Sequence, residues 1–325
     1  MRVIIFGAGG IGGAVGGHLA RVGHDVVLIA RPGHVKAIND NGLRLVTPGQ
    51  TYVLHVPAVE GPEKISFGPD DVVFLCAKGQ HTEEAMRQLR AVTADVPVFC
   101  FQNGVRNEEL VSRQFPRAYG VMVRIAGVYL TDGEVTCRRD PPGWLTMGCY
   151  PSGTDSLLET VAGGLRSAGF LVKVSPDVMR YKWGKLVMAV SNAVYSLTNA
   201  NRRDVDFIIQ ATQKEMEGLL AKAGIAWISD EDQAKEWPET VMPLRGQLIL
   251  KVKDSTWQSL ARRQGTVESD FLNGEVVRLA RRLGTKAPVN KGLVTLSEEM
   301  ARKRELPGKY TPAELAALLG ISRGT

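Results

Sequence analysis

A glycine-rich segment near the start of the chain has the spacing of a phosphate-binding loop. It follows a short apolar run at residues 2–6, opens a stretch of helical periodicity and reads Gly7, Ala8, Gly9, Gly10, Ile11 and Gly12. In such a strand–turn–helix context, G-x-G-x-x-G is the dinucleotide fingerprint: Gly7 permits a tight turn, Gly9 lets the backbone approach a pyrophosphate, and Gly12 lets helix and strand pack closely. The phosphates of such a ligand lie on the helix N-terminus, because free N–H groups and the helix dipole favour anions. We therefore predict a dinucleotide site, with a glycine-rich turn that binds no ligand as the alternative.

The end of the second apolar run indicates which dinucleotide binds. An NAD site places Asp or Glu there, where it accepts a hydrogen bond from the ribose 2′-hydroxyl. This chain has Arg31 within Ala-Arg-Pro-Gly-His at residues 30–34, and no acid. A carboxylate would repel a 2′-phosphate, whereas an arginine can bind it through two parallel hydrogen bonds. We therefore expect NADP(H) as the cofactor; a solvated surface arginine is the alternative.

The elements that must position this loop alternate between strand and helix over the first half of the chain. Strands are predicted at 2–6, 25–30, 71–77, 96–101 and 170–174, with a strand pair in 43–57 and alternating strands in 117–149. Helices are predicted at 10–22, 82–92 and 154–168. Alternation of this kind is the signature of a doubly wound parallel sheet. We predict an α/β fold whose first domain, residues 1–174, is an NADP-binding Rossmann domain.

The second half of the chain has a different pattern. Ser-Pro-Asp at 175–177 is a helix start, since serine caps the free N–H groups and proline suits the first helical position. Beyond it, helices are predicted at 176–198, 204–224, 243–262, 266–283 and 289–303. Residues 175–325 therefore form an all-α domain that we expect to bind substrate and complete catalysis.

Composition excludes several other classes of protein. The chain has 325 residues, of which 44% are hydrophobic and 23% charged, the balance of an ordinary globular protein. The net charge is +6, but its basic residues are scattered, which favours small anions over nucleic acid as partners. No apolar run reaches the ~18 residues that span a bilayer. The start of the chain resembles a strand and not a signal peptide, so we expect a cytoplasmic protein that contacts no membrane. Five histidines and four cysteines show no ligand spacing, and we expect no metal.

Several further motifs, taken in order, resemble those of the ketopantoate reductase (2-dehydropantoate 2-reductase) family over nearly the whole chain. They are Cys-Ala-Lys-Gly-Gln-His at 76–81, Gln-Asn-Gly at 102–104, Trp-Gly-Lys-Leu at 183–186, Thr-Val-Glu-Ser-Asp-Phe-Leu-Asn-Gly at 266–274, and the segment from Gly284 through Pro288 to Asn290. The resemblance implies reduction of a 2-keto acid by NADPH. Pantothenate biosynthesis is the setting that it implies.

The resemblance also implies roles for particular residues. Lys185 would be the general acid, since an ammonium can stabilise the carbonyl oxygen and give it a proton. Glu268 would bind the substrate by a hydrogen bond, and Asn103 would orient the lysine and the nicotinamide. Lys78 ends a predicted strand near the cofactor. Each residue also has an interpretation without a catalytic or binding role: a solvated lysine, a glutamate favoured in the first turn of a helix, or an asparagine in a turn. Lys182, one turn before Lys185, is the rival for the acid role.

The substrate pocket is where the sequence departs from the family pattern. Lys185, Ala189, Asn192 and Ser196 share one stripe of the predicted helix 176–198. The family usually has an asparagine where this chain has Ala189, so only Asn192 remains to donate a hydrogen bond. Other candidate substrate contacts, in addition to Glu268, are Ser255 and Thr256.

Loss of that donor should relax or redirect specificity. We expect a 2-keto acid substrate, with 2-dehydropantoate the first candidate. A different keto or hydroxy acid, or a non-enzymatic NADPH sensor, are the alternatives. A homodimer through the helical domain is expected from Trp227, Trp237 and Trp257, if these side chains are exposed.

Overall fold

The structure is a computed structural model that describes residues 1–241, 246–248 and 254–322. The chain divides into two compact units. The first unit comprises residues 1–182 and 229–250, and the second comprises residues 183–228 and 251–325. The domain boundary predicted between residues 174 and 175 stays a prediction. The first compact unit extends to residue 182 and also includes residues 229–250.

The strands are concentrated in the first unit. In chain order they are β1 Arg2–Phe6, β2 Asp25–Ile29, β3 Leu43–Val46, β4 Thr51–Leu54, β5 Ala58–Val59, β6 Asp71–Leu75, β7 Val98–Cys100, β8 Ala118–Ile125, β9 Gly127–Val128, β10 Glu134–Cys137, β11 Arg139–Asp140, β12 Gly143–Cys149, β13 Leu171–Val174 and β14 Gly246–Gln247.

The helices occur in both units. They are α1 Gly10–Arg21, α2 Pro32–Asn41, α3 Thr82–Arg90, α4 Asn107–Ser112, α5 Ser156–Ser167, α6 Val178–Ala189, α7 Asn192–Thr198, α8 Arg202–Ala223, α9 Asp230–Glu236, α10 Ser255–Ala261, α11 Asn273–Arg282, α12 Pro288–Arg302 and α13 Pro312–Leu319. Short 3₁₀ turns cover Pro62–Lys64, Gly79–His81, Pro238–Val241 and Ser269–Phe271.

The main sheet confirms the predicted Rossmann architecture. Its eight strands have the order β13-β12-β8-β7-β6-β1-β2-β5, and the six from β5 to β8 are parallel. That order corresponds to the 3-2-1-4-5-6 order of a dinucleotide-binding sheet. β12 runs antiparallel to β8 and parallel to β13, which extends the sheet at one edge.

Alternate residues of β1 feed two hydrophobic cores. Val3 and Ile5 pack in a cluster with residues of α1 and α5, whereas Ile4 and Phe6 pack in a cluster with residues of α3 and α4. Because successive side chains of a strand point to opposite faces, helices cover both faces of the sheet. This is the doubly wound arrangement.

The second half of the chain departs from the prediction in several places. The predicted helix 176–198 is two helices, α6 and α7, interrupted at Val190 and Ser191. The predicted helix 243–262 is wrong in part, because Gly246–Gln247 is a strand and the helix covers Ser255–Ala261; residues 242–245 and 249–253 lie outside the described part of the chain. The predicted helix 266–283 begins only at Asn273. Helices α2, α4, α9 and α13 were not predicted.

The three tryptophans that motivated the predicted dimer are not exposed. Trp227, Trp237 and Trp257 are each half-buried in the single chain. They therefore give no support to a dimer surface, which stays a prediction. No helix in the described part of the chain is long and apolar enough to cross a membrane.

The pH dependence of stability should come in part from His18. Its ring is buried in the first unit, edge-on to Phe170 at 5.5 Å, and neither ring nitrogen has a hydrogen-bond partner among the described residues. Burial lowers the pKa of His18 to about 4, and Arg21 adds a smaller effect in the same direction. The unfolded chain, with a pKa near 6.5, therefore binds more protons than the folded chain between these two values.

We expect the free energy of unfolding to fall by about 3 kcal/mol between pH 6.5 and pH 4 because of this residue, since one pKa unit corresponds to ~1.4 kcal/mol. Urea unfolding across that range measures the loss. His18→Leu should flatten the curve, whereas His55→Leu, at an exposed position, should keep it. An unchanged slope in His18→Leu would contradict the assignment.

Candidate functional site

The glycine-rich loop is fixed at the point where the strand order reverses. The N–H groups of Gly7 and Ala8 both donate to the carbonyl of Ile29, at the end of β2, over 3.0 Å. On the other side of β1, the N–H groups of Cys76 and Ala77 donate to the carbonyl of Phe6 over 2.9 and 3.0 Å. The loop therefore lies at the carboxyl ends of β1, β2 and β6, where open α/β sheets bind their ligands.

Among the loop's glycines, Gly7 and Gly12 leave the least room for a Cβ in the protein's own packing. A Cβ on Gly7 would lie 2.6 Å from the nitrogen of Ala77, and Gly7 has a φ of +105°. A Cβ on Gly12 would lie 2.3 Å from the carbonyl oxygen of Gly7. These distances are too short for any side chain, so both glycines serve close approach of backbone segments.

Gly9 is different. The atom nearest to a Cβ built there is Cδ1 of Tyr129, at 3.9 Å, an ordinary van der Waals contact. Nothing in the packing of the described residues therefore excludes an alanine at this position. A glycine that the protein does not need for itself fits the close approach of a phosphate to the backbone.

The start of α1 has the features of an anion site. Gly9 is its N-cap and provides no side chain to accept from the first-turn N–H groups, and the first turn contains no acidic residue. Those N–H groups require acceptors, and the helix dipole favours a negative one. Gly10 and Ile11, which the sequence placed in the site, are the first two residues of this turn.

Three basic side chains follow the ends of β2 and β6. Arg31 is exposed at the N-cap of α2, and Lys78 directly precedes the 3₁₀ turn that ends at His81. Burial lowers the pKa of His81, and the positive charges of Arg31 and Lys78 lower it further, so the three groups interact electrostatically. The positive charges of Arg31 and Lys78 suit an anionic ligand.

His34 holds the glycine-rich loop in place, a contact that the sequence analysis did not predict. Its Nδ1 accepts from the N–H of Gly133 over 2.8 Å, which leaves Nε2 to carry the proton and donate to the carbonyl of Ala8 over 3.0 Å. Burial lowers the pKa of His34, in accord with the neutral tautomer that these two bonds require. The ring thus ties the glycine-rich loop to the turn at 131–133.

Asp132 is an acid near the end of β2 that the sequence could not locate. Its Oδ2 would lie 2.4 Å from a Cβ on Gly33, in the first turn of α2. Its other carboxyl oxygen accepts from the hydroxyl of Tyr129. The sequence has no acid directly after β2, but Asp132, 99 positions after Gly33, brings one there from a distant part of the chain.

Asn103 and Lys78 lie in neighbouring loops, and buried polar groups lie beneath both. Asn103 is half-buried just after β7, ahead of Gly104, whose φ is +81°. The side chain of Gln102 donates to the carbonyl of Ala77, the residue before Lys78, over 2.8 Å. The loops after β6 and β7 are therefore joined directly.

Lys182, the rival for the role of general acid, belongs to these buried groups. Its ammonium donates to the carboxylate of Glu108 and, over 3.1 Å, to the carbonyl of Gln102. The lysine side chain is 2% exposed and the glutamate side chain is fully buried. An ammonium so enclosed cannot reach a substrate, which leaves Lys185 as the candidate on α6.

Lys185 is half-buried in the middle of α6, and Ala189 is the last residue of that helix. Asn192 opens α7, so the predicted stripe of Lys185, Ala189, Asn192 and Ser196 does not follow one continuous helix. At the break, the side chain of Asn273 donates to the carbonyl of Val190 over 2.9 Å. The interruption is thus a stabilised feature of the second unit.

A buried network supports Asn273 at this break. Asn273 also donates to Oδ1 of Asn290 over 2.9 Å, and Asn290 donates to the carboxylate of Glu215 and to the carbonyl of Thr212. Glu215 in turn accepts from the N–H groups of Val289 and Asn290, at the start of α12. Asn290, the last residue of the motif at 284–290, is therefore linked through Asn273 to the α6–α7 junction.

The remaining predicted substrate contacts differ in accessibility. Glu268 is 4% exposed and precedes the 3₁₀ turn before α11. Ser255 is half-buried at the start of α10, and its hydroxyl has no hydrogen-bond partner among the described residues. Thr256 is 2% exposed. The orphaned hydroxyl makes Ser255 the better of the two candidates for an incoming polar group.

Comparison with known proteins places this arrangement in a family. The model "Ketopantoate reductase PanE/ApbA" matches residues 3–152, and its C-terminal counterpart matches residues 177–301. The 2-dehydropantoate 2-reductase of Lactococcus lactis is 30% identical over 296 residues, which cover 89% of this chain and 94% of that protein. The enzyme of that name from Pyrococcus horikoshii is 28% identical over 302 residues, or 89% and 94% of the two chains.

Solved structures show the same relation. A PanE/ApbA family ketopantoate reductase from Ralstonia eutropha is 29% identical, has a TM-score of 0.79, and is matched over 94% of this chain and 99% of its own. D-mandelate dehydrogenase with NADH and anilino(oxo)acetate has a TM-score of 0.80 at 19% identity, over 94% and 100% of the two chains, and shows the fold alone. The chain belongs to the ketopantoate reductase family and is an oxidoreductase of this type.

Proposed function

We propose that this chain reduces a 2-keto acid with NADPH, and that 2-dehydropantoate is its first candidate substrate. The observation that carries the cofactor half of this proposal is the open space beside Gly9, in a loop whose other close contacts are dictated by the protein itself. The relatives named 2-dehydropantoate 2-reductase support the substrate half.

The preference for NADPH over NADH rests on charge. Arg31 and Lys78 bring positive charge to the loops after β2 and β6, and a 2′-phosphate is the part of NADPH that NADH lacks. Asp132 favours the opposite choice, because a carboxylate beside the first turn of α2 can accept from a ribose hydroxyl. NADH is therefore the second candidate, and the two side chains can be tested separately.

The proposed chemistry divides between cofactor and protein. When bound, the reduced nicotinamide supplies the hydride that adds to the carbonyl carbon of the keto acid. Lys185 holds an ammonium proton for the carbonyl oxygen, so that the ketone becomes a hydroxyl group and the lysine is left neutral. Asn103 orients the reacting groups, and Glu268 accepts a hydrogen bond from the substrate.

Substrate choice falls to the polar groups of the second unit. Asn192 and Ser255 offer hydrogen-bond donors, and Thr256 is a more enclosed alternative. Ala189 offers none, where the resemblance to the family leads us to expect an asparagine. Because a site lacking a donor discriminates less between analogues, another branched 2-keto acid is the alternative substrate within the same mechanism.

The role of Lys185 is tested by Lys185→Ala, with Lys214→Ala, at an exposed position of α8, as the control. We expect kcat for the best keto acid to fall roughly 10²- to 10⁴-fold, the usual contribution of a general acid, while the control stays at the wild-type rate. The absorbance of the reduced nicotinamide reports turnover across a panel of 2-keto acids. A wild-type rate in Lys185→Ala would refute the role. Turnover of other keto acids but not of 2-dehydropantoate would show that the substrate is a different acid, with Ala189 as the candidate cause of the changed specificity.

The cofactor preference is tested by Arg31→Ala. Loss of a charge-assisted contact to the 2′-phosphate costs about 1.5–3 kcal/mol, so kcat/KM for NADPH should fall roughly 10- to 100-fold while that for NADH stays within about twofold. Arg87→Ala, on the exposed side of α3, is the control. If wild type instead prefers NADH, and Asp132→Asn removes that preference, the NADPH proposal is wrong.

The loop geometry is tested by three glycine substitutions. Gly9→Ala should leave the urea midpoint unchanged yet weaken dinucleotide binding at least about tenfold, because its Cβ occupies the ligand's space and not the protein's. Gly12→Ala should lower the midpoint, since its Cβ meets the carbonyl of Gly7. Gly49→Ala, with nothing within 4 Å, should change neither property. Wild-type affinity in Gly9→Ala, measured by fluorescence titration, would place the cofactor elsewhere.

A further inference from the structure

We propose that the buried ion pair of Lys182 and Glu108 is a positioning device: with Gln102, Thr82 and Asn107 it fixes the backbone on which Lys78 and Asn103 stand. This inference rests on the proposed function for its kinetic test and on the geometry for its second test. All five side chains lie within the first unit.

The pair itself binds the end of β7. Lys182 donates both to the Glu108 carboxylate and to the carbonyl of Gln102. That carbonyl belongs to the peptide bond between Gln102 and Asn103. The ammonium therefore holds the plane of the peptide from which Asn103 starts.

A chain of hydrogen bonds continues from Gln102 to both loops. Gln102 donates to the carbonyl of Ala77 over 2.8 Å and to the hydroxyl of Thr82 over 2.7 Å. The Thr82 hydroxyl donates to Oδ1 of Asn107 over 2.8 Å, and Asn107 donates to the carbonyl of Asn103 over 2.9 Å. The network thus ends on three carbonyls, those of residues 77, 102 and 103, which adjoin the two proposed site residues.

Stability does not account for such a network. Moving two charges out of water costs several kcal/mol per ion, and apolar pairs of similar volume are commonly as stable or more so. Burial raises the pKa of Glu108 even against the opposing effect of Lys182, which shows how poorly this environment solvates a carboxylate. Oε2 of Glu108 and Oε1 of Gln102 have no hydrogen-bond partner among the described atoms. A pair that leaves acceptors unsatisfied is not arranged for maximum stability.

Orientation of the backbone does account for it. Every bond of the network that reaches the main chain reaches it beside Lys78 or Asn103. A catalytic group displaced by about 1 Å can lose roughly 10²-fold in rate. The rate preserved by fixing these two peptides therefore outweighs the stability lost by burying the ion pair. Direct participation of Lys182 is excluded by its enclosure.

The test replaces the pair by an apolar one, Lys182→Met with Glu108→Leu. We expect this double variant to unfold at or above the wild-type urea midpoint while kcat falls roughly 10- to 100-fold, with KM for the cofactor changed less. Each single variant should have a lower midpoint, because it leaves one charge buried alone. A double variant with wild-type kcat and midpoint would overturn the proposal.

A matched control is available in the same sheet. Arg2 and Asp71 form a two-bond ion pair at the amino ends of β1 and β6, away from the carboxyl ends where the loops lie. Arg2→Met with Asp71→Leu should keep the wild-type kcat. An equal fall in kcat in this control would show that loss of any ion pair of the sheet is enough, and would contradict a specific positioning role.

A second measurement is independent of turnover. Amide hydrogen exchange should become faster at residues 77–82 and 102–107 in the Lys182/Glu108 double variant and stay unchanged there in the Arg2/Asp71 variant. If wild type reduces no keto acid, the proposed function fails while this measurement still decides the role of the pair. Unchanged exchange in both segments would overturn the proposal.

Discussion

The first unit depends on two carbonyl groups that each accept two main-chain donors. The carbonyl of Ile29 binds the N–H groups of Gly7 and Ala8, and that of Phe6 binds those of Cys76 and Ala77. These bonds extend the parallel pairing one step past the ends of the strands. They bring the loops after β1 and β6 so close that Gly7 admits no side chain. The positions of the glycine-rich loop and of the start of the loop after β6 follow from this constraint.

Sequence alone was sufficient for the features that depend on local periodicity. The Rossmann strands, α1 and the break at the end of β1 are all encoded within windows of about ten residues, where apolar spacing and glycine placement decide the structure. The start of the second unit was harder to predict, because the interruption after Ala189 depends on a bond from Asn273, which is 83 residues away from Val190. No local pattern records such a contact.

The same distinction separates the candidate site residues that the sequence indicates from those that it does not. Gly9 and Arg31 carry motif signals of their own. Asp132, in contrast, reaches the first turn of α2 from a distant turn, and His34 reads from sequence as an ordinary loop residue until Gly133 and Ala8 appear on its two nitrogens. Lys182 looked like an alternative general acid, and only its burial against Glu108 reveals otherwise.

The pairing of Lys182 with Glu108 has a consequence for how relatives of this chain can diverge. Either residue changed first leaves its partner as a lone charge in a closed interior, which costs about 3–5 kcal/mol or a shift in protonation. A lineage that has acquired the pair can therefore lose it one residue at a time only through a destabilised intermediate. We expect the two positions to change together across the family, so that covariation between them records a step in its ancestry.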